Sequence, residues 1–266
     1  MMTLKSPVLV HSDAGRLSVA LRRAGIRSPA NEVPKDLLSF LARASSDGED
    51  GLVFPAFNYD FARTRAFNVS EDPVQVGALP EWIRKSGRFE RTAVPFFSVL
   101  HRGAIHVTEQ ASVNPFGPES VFAELLRLNG TVLLAGVGVD RLTILHLIED
   151  MFGPPLYRYD KLFVGTVQTP VSKFECRVTM HVRPPIDLDY DWPKIEFHLR
   201  EQGILEHAGD MPHVMAVRVD QLVDYLGSEI SKNPTFLLPD KVTERVFPSG
   251  LVGVQRLRRE DFEGEH

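Results

Sequence analysis

The chain has 266 residues, a formal net charge of −5 and an ordinary globular composition, with 43% hydrophobic and 24% charged residues. This mild acidity argues against a nucleic-acid partner, because a basic stripe is the usual footprint of such proteins. The single cysteine, Cys176, excludes an internal disulfide and argues against a cysteine-based zinc site. It lies in an alternating, strand-like run, so we expect a small buried residue rather than a nucleophile.

No segment has the length of a membrane span. The longest uncharged apolar stretch near the middle, Val132–Val139, falls far short of the roughly 20 residues that a helix needs to cross a bilayer. The apolar region at the N-terminus is short and interrupted by Pro7, which does not fit a secretory signal. We therefore expect a cytoplasmic protein without a membrane partner.

Short β-branched runs alternate with helical patterns along the chain. The predicted strands are Val8–Val10, Leu52–Phe54, Phe96–Leu100, Thr131–Ala135, Val178–Val182 and Met215–Val219. The predicted helices are Arg16–Ala24, Pro34–Arg43, Val76–Ser86, Ser120–Leu128, Asp140–Met151, Ile195–Gln202 and Val219–Ile230. This order predicts an α/β protein, layered α/β/α around a central mixed sheet. We expect a single domain over 1–266, with a subdomain junction or ordered loop near 183–192.

The segment from Thr131 to Met151 carries the strongest functional signal. It begins as a buried strand, passes the glycine turn Gly136-Val137-Gly138 and enters a predicted helix with Asp140 in the N-cap position. Along that helix His146 stands in a polar stripe just beyond the carboxyl end of the strand, where ligands often bind in open α/β sheets.

Two interpretations of His146 remain open from this pattern. The histidine is either half-buried and paired with Asp150 or Glu149, or it is a general base whose near-neutral pKa suits proton removal. A dinucleotide fingerprint is disfavoured, because Arg141 occupies the place of the third glycine.

Six motifs, in order, resemble those of the aminoglycoside 3-N-acetyltransferase family between about residues 8 and 230. They are Val8-Leu9-Val10-His11-Ser12, Phe54-Pro55-Ala56-Phe57-Asn58-Tyr59-Asp60-Phe61, Val76-Gly77-Ala78-Leu79-Pro80-Glu81, Pro95-Phe96-Phe97-Ser98-Val99, Asn114-Pro115-Phe116-Gly117-Pro118-Glu119-Ser120, and the segment from Gly136 to Glu149. Each motif is weak alone, but together and in this order they favour the catalytic interpretation of His146.

The resemblance implies acyl transfer from acetyl-CoA or another acyl-CoA to a primary amine of an aminoglycoside or amino sugar. His146 would be the general base, and Thr143 or a backbone N–H of the glycine turn would stabilise the oxyanion. The predicted acyl-CoA contacts are His11, Ser12, Ser98 and Val99. The predicted substrate contacts are Tyr59, Asp60 and Asp140. No metal is expected, and a homodimer is left open.

The carboxylate that orients His146 is expected downstream by resemblance. Asp191, which precedes an aromatic residue and a helix, is the preferred candidate, with Asp189 beside it. Glu149 and Asp150 are the local alternatives, and Glu149 matches the His-x-x-Glu spacing of the family.

Two departures from the family pattern concern the acceptor. Val94 and Phe97 stand where the family usually or often has histidine, which puts the acceptor more in question than the fold or the acyl donor. They also support the competing hypothesis of a non-catalytic relative that binds CoA or a sugar. Retention of His146, Thr143 and Asp140 opposes that hypothesis.

Overall fold

The computed structural model describes residues 3–23, 32–106, 111–208 and 213–262. The strands are β1 Val8–Ser12, β2 Leu52–Pro55, β3 Ala66–Asn68, β4 Glu90–Arg91, β5 Val99–His101, β6 Ser112–Val113, β7 Thr131–Ala135, β8 Tyr159–Gln168, β9 Lys173–Val182, β10 Leu205–His207 and β11 Val214–Arg218. The helices are α1 Ala14–Arg23, α2 Val33–Ala42, α3 Phe61–Thr64, α4 Ala78–Ser86, α5 Val121–Arg127, α6 Leu145–Met151, α7 Trp192–Glu201, α8 Val219–Lys232 and α9 Asp240–Val246.

Seven strands form the central sheet, in the order β10-β11-β7-β1-β2-β5-β4. Strand β1 runs parallel to β2 and β7, while β11 and β5 are antiparallel to their neighbours, so the sheet is mixed as predicted. Because successive side chains of a strand point to opposite faces, Leu9 joins one apolar core and Val8 and Val10 join the other. Residues of α5, α6, α7 and α8 pack in the first core, and residues of α1, α2 and α4 in the second. The predicted α/β/α layering is confirmed.

A second sheet of four strands, β3-β8-β9-β6, was not predicted. Its centre is the antiparallel hairpin of β8 and β9, in which all ten residues of each strand are paired. Phe163, Val167, Cys176 and Val178 of this hairpin are buried against a third apolar cluster. Burial also raises the pKa of the Cys176 thiol to about 11, which agrees with a packing role.

The helix predicted over Asp140–Met151 is shorter than expected. A single 3-10 turn at Val139–Arg141 comes first, Leu142 then leaves the helical region with ψ 73°, and α6 begins only at Leu145. Asp140 is therefore not the N-cap of α6, and its carboxylate lies 3.1 Å from Nε of Arg141 instead. Within the predicted junction, residues 183–191 form the loop that joins β9 to α7, and Trp192 is the first residue of α7. Within the described ranges, no helix has the length and hydrophobicity that crossing a bilayer requires.

Candidate active site

His146 is placed by the turn that follows β7. Gly136 ends that strand with φ 77°, a conformation that favours glycine, and a side chain there would approach Asp13 and Arg16 of the first loop and helix. After the 3-10 turn, Leu145, Leu147 and Ile148 anchor α6 in the core. The turn and the helix thus hold His146 beyond the carboxyl end of β7, where the sequence predicted it.

His146 and Glu149 form a hydrogen-bonded pair one helical turn apart. Nδ1 of His146 lies 2.8 Å from Oε2 of Glu149, and the two side chains are 24% and 1% exposed. An ionised carboxylate can only accept a hydrogen bond, so this contact places the imidazole proton on Nδ1. The lone pair on Nε2 is then available to take a proton from another group.

Glu149 is held by a buried polar network. Its Oε1 accepts hydrogen bonds from the hydroxyls of Tyr157, at 2.7 Å, and Tyr190, at 2.6 Å. Nε of Arg158 lies 3.5 Å from Oε2, and Nη2 of Arg158 donates to the Tyr190 hydroxyl at 2.6 Å. Burial alone would raise the pKa of Glu149, but the positive Arg158 and the bond to His146 hold it well below its ordinary value. The carboxylate is therefore ionised at neutral pH.

The same surroundings keep His146 neutral. Burial is the main cause that lowers its pKa to about 4, and the positive charge of Arg158 adds to this effect. The hydrogen bond to Glu149 acts in the opposite direction without overcoming burial. His146 is consequently an unprotonated imidazole at neutral pH, and the adjacent carboxylate would stabilise the imidazolium once a proton arrives.

Two cavities meet near this network. The larger one, of about 540 Å³, lies at the carboxyl ends of β1 and β2 and extends to Arg141 and Thr143. The smaller one, of about 420 Å³, contains His146 in its wall. Tyr59 lines both cavities, so it marks the place where they adjoin.

Besides Tyr59, four of the residues predicted to bind a ligand or to act in catalysis line the larger cavity. They are His11, Ser12, Asp140 and Thr143. Nε2 of His11 and Oγ of Ser12 are buried and have no hydrogen-bond partner among the described residues. Asp60 lines neither cavity; its carboxylate accepts a 2.9 Å hydrogen bond from Nε2 of Gln75 and lies 3.7 Å from Arg63.

The structure does not support acyl-CoA contacts by Ser98 and Val99. Both residues are completely buried and line neither cavity. The Ser98 hydroxyl donates to the Ala56 carbonyl oxygen at 2.7 Å and accepts from Nε of Arg91 at 3.0 Å. The hydrogen bond to Ala56 connects the residue before β5 to the residue after β2, so the role of Ser98 is structural.

The preferred pairing of His146 with Asp191 is likewise not supported. Asp191 is the N-cap of α7 and accepts a hydrogen bond from the Lys194 backbone N–H at 3.1 Å. Asp189 pairs with Arg183 at 2.8 Å near the surface. Of the four carboxylates considered, it is Glu149 that bonds to His146.

Four members of the network were missed by the sequence analysis. They are Tyr157, Arg158, Tyr190 and His181. Nε2 of His181 lies 3.4 Å from Oε2 of Glu149. The four residues come from the loop before β8, from β9 and from the loop before α7, and no spacing in the sequence links these segments. In the alternation of β9 His181 falls on the side of the exposed Arg177 and Thr179, so no signal in the sequence indicated that it is buried.

One group of metal-ligand side chains exists among the described residues. His146, Glu149 and His181 could offer ligand atoms that lie within 4.8 Å of one another. Nε of the permanently charged Arg158 lies 3.5 Å from Oε2 of Glu149, and this positive charge opposes the binding of a cation there. The arrangement suits acid–base chemistry better than metal binding.

The sequence matches a known protein family. The sequence profile of the aminoglycoside 3-N-acetyltransferase family matches residues 47–228. No curated protein sequence matches the chain.

Solved structures share its fold. The apoenzyme of aminoglycoside acetyltransferase AAC(3)-IVa is 22% identical, with a TM-score of 0.63 over 91% of this chain and 87% of that one. A mutant of that enzyme in complex with apramycin is 22% identical, with a TM-score of 0.62 over 90% of each chain. AAC-IIIb in binary complex with CoASH is 16% identical, with a TM-score of 0.66 over 87% of this chain and 91% of that one. With the profile covering more than half of its sequence, the chain belongs to the aminoglycoside 3-N-acetyltransferase family.

Proposed function

We propose that the protein transfers an acyl group from acyl-CoA to a primary amine, with His146 as the general base. The observation that carries this proposal is the 2.8 Å bond between His146 Nδ1 and Glu149 Oε2, in a histidine that lines the smaller cavity. The family supports N-acetylation of aminoglycosides as the class of reaction. The proposed acceptor is a primary amine of an aminoglycoside or amino sugar.

The larger cavity is the proposed acyl-CoA site. Arg141 contributes an exposed guanidinium to its wall, which suits the phosphates of CoA. His11 and Ser12 add polar atoms without a partner among the described residues. The likeness to AAC-IIIb, whose solved structure contains CoASH, supports the same assignment.

In the proposed reaction the neutral amine attacks the thioester carbonyl carbon. A C–N bond forms, the C–S bond breaks and CoA leaves as its thiolate, which takes up the proton removed from the amine. Nε2 of His146 carries that proton from the amine towards the thiolate, while Glu149 holds the ring and stabilises its transient charge. Thr143, in the wall of the larger cavity three residues before His146, is the proposed donor to the oxyanion, with a backbone N–H of the glycine turn as the alternative.

The experiment that tests this function follows thiol release from acetyl-CoA with amino sugars and aminoglycosides, and identifies the N-acetylated product by mass spectrometry. We expect thiol and acetylated amine in equal amounts. Tight CoA binding without thiol release for any amine would contradict the proposal and favour a non-catalytic CoA- or sugar-binding relative.

Ser98→Ala and Ser12→Ala form a matched pair that tests the donor site. We expect Ser98→Ala to lower the free energy of unfolding by about 1–3 kcal/mol, because buried partners lose a hydrogen bond, while acyl-CoA affinity stays unchanged. Ser12→Ala should weaken acyl-CoA binding with little effect on stability, since its hydroxyl has no partner among the described residues. Denaturant unfolding and calorimetric titration with acetyl-CoA measure both effects. A larger loss of affinity in Ser98→Ala than in Ser12→Ala would contradict the assignment.

A further inference from the structure

The smaller cavity has a wall of aromatic side chains. Tyr59, Phe96, Phe97, Phe116 and Phe163 all line it. The Phe97 ring packs at 4.7 Å from Phe116, and Phe96 packs at 4.9 Å from Phe163. Rings locked together in this way present a fixed apolar surface, which suits the flat face of another ring.

Four basic side chains share the same wall. They are His146, Arg158, His181 and Arg183, and no carboxylate is among the described residues that line the cavity. Although burial alone lowers it, the pKa of His181 lies above the ordinary histidine value because the carboxylates of Asp150 and Glu149 lie 3.8 and 3.4 Å from its ring nitrogens. The cavity is thus largely apolar, with basic groups but no carboxylate among the described residues of its wall.

The carboxylates that adjoin this wall already have partners. Asp189 pairs with Arg183 at 2.8 Å, and Asp150 accepts from Nδ2 of Asn114 at 3.3 Å. Glu149 is fully engaged by the buried network described above. A substrate with several ammonium groups would lose their hydration here without gaining an anionic partner.

Cation–π attraction does not remove this difficulty at Phe163, because two protein cations already lie near its ring. The Arg65 guanidinium carbon lies 5.0 Å from the centre of the Phe163 ring, and Nζ of Lys161 lies 5.7 Å from it. An ammonium group placed at this ring would be brought close to the charges of Arg65 and Lys161. Like charges brought together in a binding site oppose binding.

We infer that the acceptor is a monoamine carried on a ring with an apolar face and without further charge, rather than a polycationic aminoglycoside. This inference rests on the proposed function and names its substrate class. An arylalkyl amine and a simple amino sugar share this chemistry. The single amine must lose its charge to react, so it enters the apolar cavity as the neutral species.

The test compares benzylamine, glucosamine and kanamycin as acceptors, by calorimetric binding to the CoA-loaded protein and by thiol release from acetyl-CoA. We expect kcat/KM for the better monoamine to exceed that for kanamycin by about tenfold or more. We also expect the Kd of this monoamine to be lower than that of kanamycin. A higher kcat/KM for benzylamine than for glucosamine would assign an arylalkyl amine as the acceptor, and the reverse order would assign an amino sugar.

A charge variant sharpens the comparison. Met180→Glu places a carboxylate in the cavity wall from the half-buried Met180 of β9. It should raise kcat/KM for kanamycin relative to benzylamine by about tenfold. Leu162→Glu adds the same charge on β8 at an exposed position outside the cavity and should leave this ratio unchanged. If the melting temperature shows that Met180→Glu does not fold, the wild-type ratio still decides.

The outcomes separate this inference from the proposed function. Kanamycin binding more tightly and reacting faster than both monoamines would overturn the inference while leaving acyl transfer intact. No binding of any of the three amines would also overturn it. Selective binding of a monoamine without thiol release would support the inference and contradict the proposed function.

Discussion

Replacement of His146 by glutamine is expected to lower kcat/KM for acetyl transfer by about 10²–10⁴-fold, the range that loss of a general base produces. Glutamine keeps a polar side chain of similar length but cannot accept the amine proton at neutral pH. The affinity for acetyl-CoA should not change, because His146 lines the smaller cavity and not the larger one. Thiol release and calorimetric titration with acetyl-CoA measure the two quantities.

His198→Gln is the matched control for this variant. His198 accepts or donates a 3.0 Å hydrogen bond with the Tyr225 hydroxyl and lines neither cavity. We expect wild-type turnover from it. Equal turnover by wild type and His146→Gln would refute the role of His146.

Replacement of Glu149 by glutamine should affect both stability and activity. Glu149 is 1% exposed, and its charge balances the buried Arg158. Removing one partner of a buried ion pair leaves the other charge unpaired, so we expect a loss of about 3–5 kcal/mol in the free energy of unfolding. Denaturant unfolding at neutral pH measures this loss.

The same variant should lower kcat/KM by about 10²-fold or more, as the loss of the orienting carboxylate does in other His–carboxylate pairs. An amide can donate to Nδ1 of His146, which moves the imidazole proton to Nε2 and removes the lone pair that accepts the amine proton. Asp150→Asn, a neutralised carboxylate on the next residue of α6 with a 30% exposed side chain, is the control and should change both properties much less. Comparable losses in the two variants would argue against a special role for Glu149.

Local patterns in the sequence predicted five of the seven strands of the central sheet, all but the short edge strands β4 and β10. Strand β7 was predicted with its observed bounds, and Val8–Val10 lies within β1, because fully buried strands carry unbroken β-branched runs. The second sheet escaped prediction for the opposite reason. In β8 the fully buried residues are Tyr159, Phe163 and Val167, one in four, so the strand lacks the clear alternation that predicts a half-buried sheet.

The candidate site was predictable only in part. Position and spacing indicated His146 and kept Glu149 among its possible partners. Asp191 was preferred over Glu149 on resemblance, although an aspartate before Trp192 and Pro193 is also typical of a helix N-cap. Arg158 and Tyr190 could not be foreseen, since their contacts depend on how two loops distant in sequence fold over α6. Ser98 matched the family motif, yet only the structure shows that its buried hydroxyl already forms hydrogen bonds within the protein.

His146 and Glu149 are proposed to act as one unit, and a double-mutant cycle in acetyl transfer measures the coupling between them. Thiol release would be measured for wild type, His146→Gln, Glu149→Gln and the double variant, at a temperature where all four remain folded. Because Glu149 is proposed to act through His146, the double variant should lose no more activity than His146→Gln alone. Losses that multiply in the double variant would show that the two residues act independently, and they would contradict the account.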